Sequence, residues 1–401
     1  MTILRIVLKS LRQHALSTSV TAGSIALAGG LLMAVWVVKT ESQKTFTGVT
    51  GGFDAVLGAR SSALQLVLNS VFHLEASPGN LAHADYEALK KDGRVALAVP
   101  IAVGDNYYGY RLVGTTLEMF NDVEYAPGKK FRVVAPGRVF DVQRREAVLG
   151  SFAAKKLGLK YGDTFQPYHG LIFDEKSQHT ETYTVVGILE PSNTPADRVI
   201  WIPLAGLQTM AGHDPKTATD VSAVLVKLRT PIAGKQLEML YNKQGNRLTF
   251  AWPIAQIIAQ LLDKVSWVDK VLALVAYLVA LVATGSVLAS IYNSMNERRR
   301  EIAILRALGA RRGTIFSTVV LESAAISAIG MAAGFIVYLA ITLAAAAVIR
   351  AQTGVVLDAI APHPVMLWAP AGMIALGALA GIVPAWKAYR TDVAENLAPA
   401  S

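Results

Sequence analysis

Four apolar segments constrain this chain more than any other feature: residues 16–38, 271–292, 313–349 and 365–386. Each meets the about 20 residues that an α-helix needs to cross a bilayer. Composition agrees, since 53% of the 401 residues are hydrophobic and 17% are charged, against about 25% charged in soluble domains. The expected fold class is an α-helical membrane protein with four transmembrane helices in a 1+3 arrangement. A large α+β extracytoplasmic domain is inserted between helices 1 and 2. The first apolar run follows Arg5, Lys9 and Arg12 and ends in VWVVKTES without a small-x-small pattern. Secretory h-regions run to about 7–15 residues, so an uncleaved signal anchor is expected.

Charge sets the orientation. The lead (1–15), the interval 293–312 and the tail (387–401) together hold 11 Lys/Arg and four acids, Glu297, Glu301, Asp392 and Glu395. The remainder, with 27 basic and 25 acidic residues, is nearly neutral. The net charge of +9 is therefore a positive-inside signal with both termini cytoplasmic, and no nucleic-acid partner is required. The sequence has no cysteine, which excludes disulfides, thiolate metal sites and cysteine nucleophiles.

Residues 39–265 form the expected exported domain, large enough to be stabilised by its own core. Strands are expected at 95–99, 107–113, 147–149, 183–189, 199–202 and 223–228. Helices are expected at 85–90, 152–157, 204–210 and 234–242. Residues 118–214 read as a mostly β insertion, the flanks 39–117 and 215–250 as a βαβ-rich lobe, and 251–270 as a helical stalk. Leu64, Val67, Leu68, Val71 and Phe72 recur at helical spacing, with Gln65, Asn69 and Ser70 away from the stripe. The stripe has two readings: packing on the domain core, or a surface that meets the membrane or an amphiphilic substrate. Gly330 and Gly334, and Gly377 and Gly381, are G-x-x-x-G pairs that permit close helix approach, within one chain or between two.

Catalytic motifs are missing. The chain holds no G-x-x-x-x-G-K-[ST], H-E-x-x-H or G-x-S-x-G. Among the histidines His73, His83, His169, His179 and His213, the pairs His73/Glu75 and His83/Asp85 match no ligand spacing, so no metal and no catalytic residue is assigned. Glu322 lies inside an apolar span; intramembrane acids are costly and often functional, and pairing with an elbow arginine or a neighbouring helix is expected, with a role in transport itself the alternative.

The interval 293–312 is an elbow carrying six arginines, with Ile302, Leu305 and Leu308 on one helical stripe, Ile304 alongside, and Gly309 as a C-terminal cap. Its run ERRREIAILRALGA, followed by Glu322, resembles the signature of the FtsX-like permease family. These are the membrane subunits of MacB/LolC/LolE-type (type VII) ABC systems. The stretches EAVLGSFAAKKLGLKYGDTF, YTVVGIL and DRVIWIPL are similar to the family's periplasmic core domain, and GIVPAWKAYRTDVAENL to its terminal signature. The resemblance implies an inner-membrane subunit that exports or extracts an amphiphile, such as a peptide, drug-like compound or lipoprotein. An alternative is mechanotransmission to a periplasmic hydrolase or sensor without transport. It also implies that the elbow docks on a separate dimeric ABC ATPase, which would bind ATP and magnesium. Ile302, Leu305 and Leu308 would be its apolar contacts, Glu297, Glu301 and Arg306 polar ones, with Arg298 and Gly309 in the same element. A second permease chain, and a periplasmic adaptor, membrane-fusion protein or lipoprotein, would complete the assembly. MacB itself carries a fused ATPase ahead of its first span; only the short basic lead precedes the span here, so a separate ATPase polypeptide is expected.

Overall fold

The computed structural model describes residues 3–210 and 219–390; His213, Asp392 and Glu395 lie outside the described residues. The chain divides into a helical unit (Met1–Glu41, Val265–Ala346, Asp358–Ser401) and a sheet unit (Ser42–Lys264, Ala347–Leu357).

Among the described residues four helices are long and apolar enough to cross a membrane: Ala15–Gly48, Ile254–Glu297, Arg312–Thr353 and Val365–Arg390. All extend beyond the apolar runs. The expected stalk and second span are one 44-residue helix, and the lead forms its own amphipathic helix, Ile3–Gln13. Within the helical unit the first long helix is the most enclosed. Its most apolar window is 61% buried, against 17–33% for the others, so those three leave wide faces for lipid or other chains. Both G-x-x-x-G pairs serve packing inside the chain. A Cβ at Gly330 would stand 2.8 Å from the Ala22 carbonyl oxygen, and one at Gly381 would overlap Ser323 Oγ. Only glycine lets these backbones meet.

Among the described residues the sheet unit has twelve strands: β1 Ala55–Ala59, β2 Val95–Tyr107, β3 Tyr110–Thr115, β4 Glu124–Ala126, β5 Lys129–Lys130, β6 Glu146–Leu149, β7 Thr164–Phe165, β8 Tyr168–His169, β9 Tyr183–Ile188, β10 Ile200–Pro203, β11 Ala223–Leu228 and β12 Leu248–Ala251. Ten form one sheet in the order β12-β1-β11-β2-β3-β10-β6-β9-β7, with β8 branching from β2; β4 and β5 pair separately. The flanking lobe and the 118–214 region are thus joined in one sheet, through the parallel pair β3–β10. The expected strand 107–113 is broken by a tight turn, with Tyr108 at φ 47° and Gly109 at φ 80°. Two consecutive positive φ values match the twist of the flanking strands.

Strand residues alternate between two cores, as a period of two requires. Val56, Val99, Val113, Val148 and Trp201 face one core with the helix Ala63–Ser70. Ala55, Leu57, Val224 and Val226 face the opposite way, towards the helices His83–Lys90 and Pro231–Glu238. Around Leu112, Ala147, Leu149 and Ile200 a further core takes the helices Ser151–Leu157 and Leu204–Gln208. Val355, from the segment after the third long helix, is fully buried in the first core. The domain is therefore not built only from residues between the first and second helices.

Candidate functional site

The elbow is a turn of defined chemistry. The second long helix ends at Glu297, Arg298 leaves helical geometry (φ −98°, ψ 11°), and a nine-residue helix runs from Arg299 to Ala307. Glu301 in its first turn and Arg306 in its last complement the helix dipole. The helix closes in a Schellman motif: Ala310 N–H donates to the Leu305 carbonyl and Gly309 N–H to that of Arg306, both at 3.0 Å. Gly309 has φ +99°, a conformation that glycine adopts without a Cβ clash.

The structure divides the apolar stripe that the spacing suggests. Ile302 and Ala303 are buried in the core of the helical unit, and Leu305 is partly buried against it. Leu308 is 80% exposed and Ile304 44%. Ile302 and Leu305 hold the elbow to its own chain, so the outward apolar pair is Ile304 and Leu308. Arg299, Arg300, Arg311 and Arg312, before and after that pair in the chain, are exposed as well.

A buried polar knot fixes the elbow. Arg298 Nη1 donates to Ser10 Oγ at 2.6 Å and to Glu322 Oε2 at 3.3 Å, while Ser10 Oγ donates to Glu322 Oε1. Ser10 is 1% exposed and Glu322 5%. Glu322 is thus satisfied within the chain, in an arrangement that also ties in the lead helix. Arg298 Nε reaches Glu301 Oε2 at 3.4 Å; Glu297 is exposed, 3.7 Å from His14. Beside the elbow, Lys387 donates to Tyr292 and to Asn296, and Arg299 donates to Asn296 at 2.8 Å. The fourth helix is thereby tied to the end of the second.

The Leu64–Phe72 stripe faces inward. Val67, Val71 and Phe72 are buried and Leu64 and Leu68 pack on the same core. Asn69 and Ser70, which the periodicity sets on the outer face, are fully buried, as is Leu66. Asn69 answers its burial by donating to the Glu75 carbonyl at 2.6 Å. The stripe thus packs on the core of the sheet unit, the first of its two readings, with Leu64 and Leu68 left partly exposed.

Neither histidine–acid pair considered from sequence makes a metal site. His73 meets Trp201 edge-on at 5.8 Å. Burial, then the charges of Arg111 and Arg198, pull its pKa down to about 3; two guanidiniums also repel a cation. His83 lies 3.8 Å from Glu87, and the Asp85 carboxylate is engaged by Arg247 Nη1 at 2.7 Å.

Comparison with known proteins places these features in a family. The family described as FtsX-like permease C-terminal matches residues 273–393, and the MacB-like periplasmic core domain matches residues 18–240. The macrolide export ATP-binding/permease protein MacB of Bordetella avium (strain 197N) is 23% identical over 420 residues. That alignment takes in 98% of this chain and 60% of MacB, so the chain spans about 60% of the relative's length. Among solved structures, the periplasmic region of MacB from Actinobacillus actinomycetemcomitans matches at 13% identity, with a TM-score of 0.36, over 54% of this chain and 94% of that one. The extracellular domain of the noncanonic ABC-type transporter YknZ from Gram-positive bacteria matches at 19% identity, with a TM-score of 0.30, over 49% and 99%.

Proposed function

Because the chain belongs to the FtsX-like permeases with a MacB-like periplasmic core domain, we propose that it is the membrane subunit of an ABC transporter. The sheet unit lies on the periplasmic side of the inner membrane and the elbow faces the cytoplasm. Hydrolysis of ATP by a partner ATPase drives export or extraction of an amphiphile from the periplasm or outer leaflet. A macrolide, the cargo in the relative's name, belongs to that chemical class. A second permease chain would cover part of the apolar surface left open on the second, third and fourth long helices.

The observation that carries this reading is the two-sided elbow. Its inner side, Ile302 and Ala303, is locked in the chain's own core, and Arg298 is pinned by Ser10 and Glu322. Its outer side presents Ile304 and Leu308 in a stretch that also exposes Arg299, Arg300, Arg311 and Arg312. A short helix so immobilised can pass on a push received at its outer face, because it cannot rotate independently. A carboxylate on that face would have to be desolvated on docking and would replace apolar contact, a cost that opposes capture.

The test is co-expression with the candidate ATPase and measurement of how much ATPase co-purifies. Ile304→Asp combined with Leu308→Asp should abolish capture while leaving the permease's stability within about 0.5 kcal/mol of wild type, as for surface changes. Undiminished capture by a folded double variant would sink the docking assignment. In proteoliposomes, an amphiphilic cargo should raise the ATPase rate of the wild-type complex; a rate indifferent to every amphiphile tried would count against transport.

A further inference from the structure

Three donor side chains converge on one point of the sheet unit. Asp105 lies near the end of β2, where an irregularity between Val103 and Asn106 interrupts pairing with β3. On its other side Asp105 pairs in register with His169 of β8. His179 follows on the same excursion, between β7 and β9. It is placed by the bridge Tyr168↔Gln178 and by its own N–H, which donates to the Pro167 carbonyl at 2.8 Å. Asn106 Nδ2 donates to the Gly170 carbonyl at 2.8 Å, and Ser177 Oγ to that of His169 at 3.2 Å. Backbone and side-chain bonds thus fix the excursion over β2.

His179 Nε2 stands 3.2 Å and His169 Nδ1 3.3 Å from the same oxygen, Asp105 Oδ1. The three donor atoms lie within 4.8 Å of one another. Charge-assisted N–H···O bonds close to about 2.7–2.9 Å, so both contacts are long for that purpose. Tetrahedral ligands about 2.0–2.2 Å from a zinc ion stand about 3.3–3.5 Å apart, close to the two spacings from Asp105 Oδ1. Asp105 is completely buried and His179 is 7% exposed.

We propose that Asp105, His169 and His179 bind a zinc-type divalent ion that fastens the excursion between β7 and β9 to β2. Two imidazoles and a carboxylate, without thiolate, suit zinc and its neighbours rather than magnesium or calcium. Three protein ligands leave a coordination position for water or another donor. The half-exposed His169 ring gives the ion its way in.

The test uses the full chain purified in detergent without a histidine tag, stripped with a chelator and titrated with zinc by calorimetry. One zinc per chain is expected, with a higher thermal midpoint and slower hydrogen exchange over residues 166–182; magnesium should give neither. His169→Ala and His179→Ala should each weaken zinc binding at least tenfold and abolish the slowed exchange. Asp105→Asn should do the same if it folds; the half-exposed His169 provides the variant that does not depend on core integrity. Absence of stoichiometric zinc binding would overturn the proposal. So would wild-type zinc affinity retained in both His169→Ala and His179→Ala.

Discussion

Replacing Glu322 by Gln should destabilise the protein more than removing the whole ion pair. At the observed 3.3 Å between Arg298 Nη1 and Glu322 Oε2, two unit charges attract by about 5 kcal/mol at an effective dielectric of 20. Desolvation offsets most of that while both are present. With the carboxylate neutralised, the guanidinium keeps its desolvation cost and, among the described residues, retains only the half-exposed Glu301, 3.4 Å from its Nε, as a charged partner, against a loss of about 3–5 kcal/mol when a buried pair is broken outright. The Arg298 side chain is 13% exposed, so some water reaches it and the lower end, about 3 kcal/mol, applies. At roughly 2–4 °C per kcal/mol for units of 150–250 residues, the midpoint should fall by about 6–12 °C. The assay is thermal unfolding of the full chain in one detergent at a fixed scan rate, for Glu322→Gln, Arg298→Met, and the double variant Arg298→Met/Glu322→Leu. The double variant should melt above either single variant, since neither charge is left alone. Singles that melt with wild type, or a double whose loss equals the sum of the two, would refute the reasoning.

Further outcomes follow from the packing. Gly330→Ala would set a Cβ 2.7 Å from Ile25 Cβ and should cost about 1–3 kcal/mol as overpacking. Gly285→Ala, with nothing within 4 Å, should leave the midpoint unchanged or higher. On the elbow, Ile302→Ala should lower stability by the about 2–5 kcal/mol of a core truncation, whereas Leu308→Ala should reduce ATPase capture with little change in melting. His73 binds a proton near pH 3 when folded, against 6.5 for its ordinary value. The unfolded chain therefore binds more protons between these values. Stability should be fully present above pH 6.5 and fall as pH drops towards 3, by about 1.4 kcal/mol per pH unit for this group. Midpoints measured across pH 7 to 4 should fall less steeply in His73→Gln; parallel curves would refute the assignment.

The four long helices are legible because hydropathy along a single span is a local quantity, and β2, β6, β9, β10 and β11 because they are apolar runs between turn residues. The edge strand β12 and its neighbour β1 escape such a reading: their order depends on pairing between opposite ends of the sheet unit, as in Val56↔Ala251. The Leu64 stripe packs on the core, one of its two sequence readings, but its polar flank is misread for a different reason. Periodicity assumes one wet face, and this helix also buries Asn69 by giving its amide an internal acceptor. On the elbow, Ile302, Ile304, Leu305 and Leu308 surround too much of a short helix for spacing to say which pair is enclosed. Asp105 and His169 are remote from each other in the chain, and only strand register brings them together.

The antiparallel pair β1–β12 places the point where the chain enters the sheet domain beside the point where it leaves, with Val56 opposite Ala251. A module closed in this way can be set into a loop of another protein across a gap no wider than a hairpin. Val355 qualifies that independence. Its fully buried side chain comes from a segment far beyond β12, after the third long helix. A module cut at 42–264 would keep its strands and its ends but carry an apolar vacancy where Val355 belongs, and it would recover only when residues 347–357 were returned, as a peptide or a fused tail. The domain is thus nearly self-contained, with one stone of its arch supplied from elsewhere in the chain.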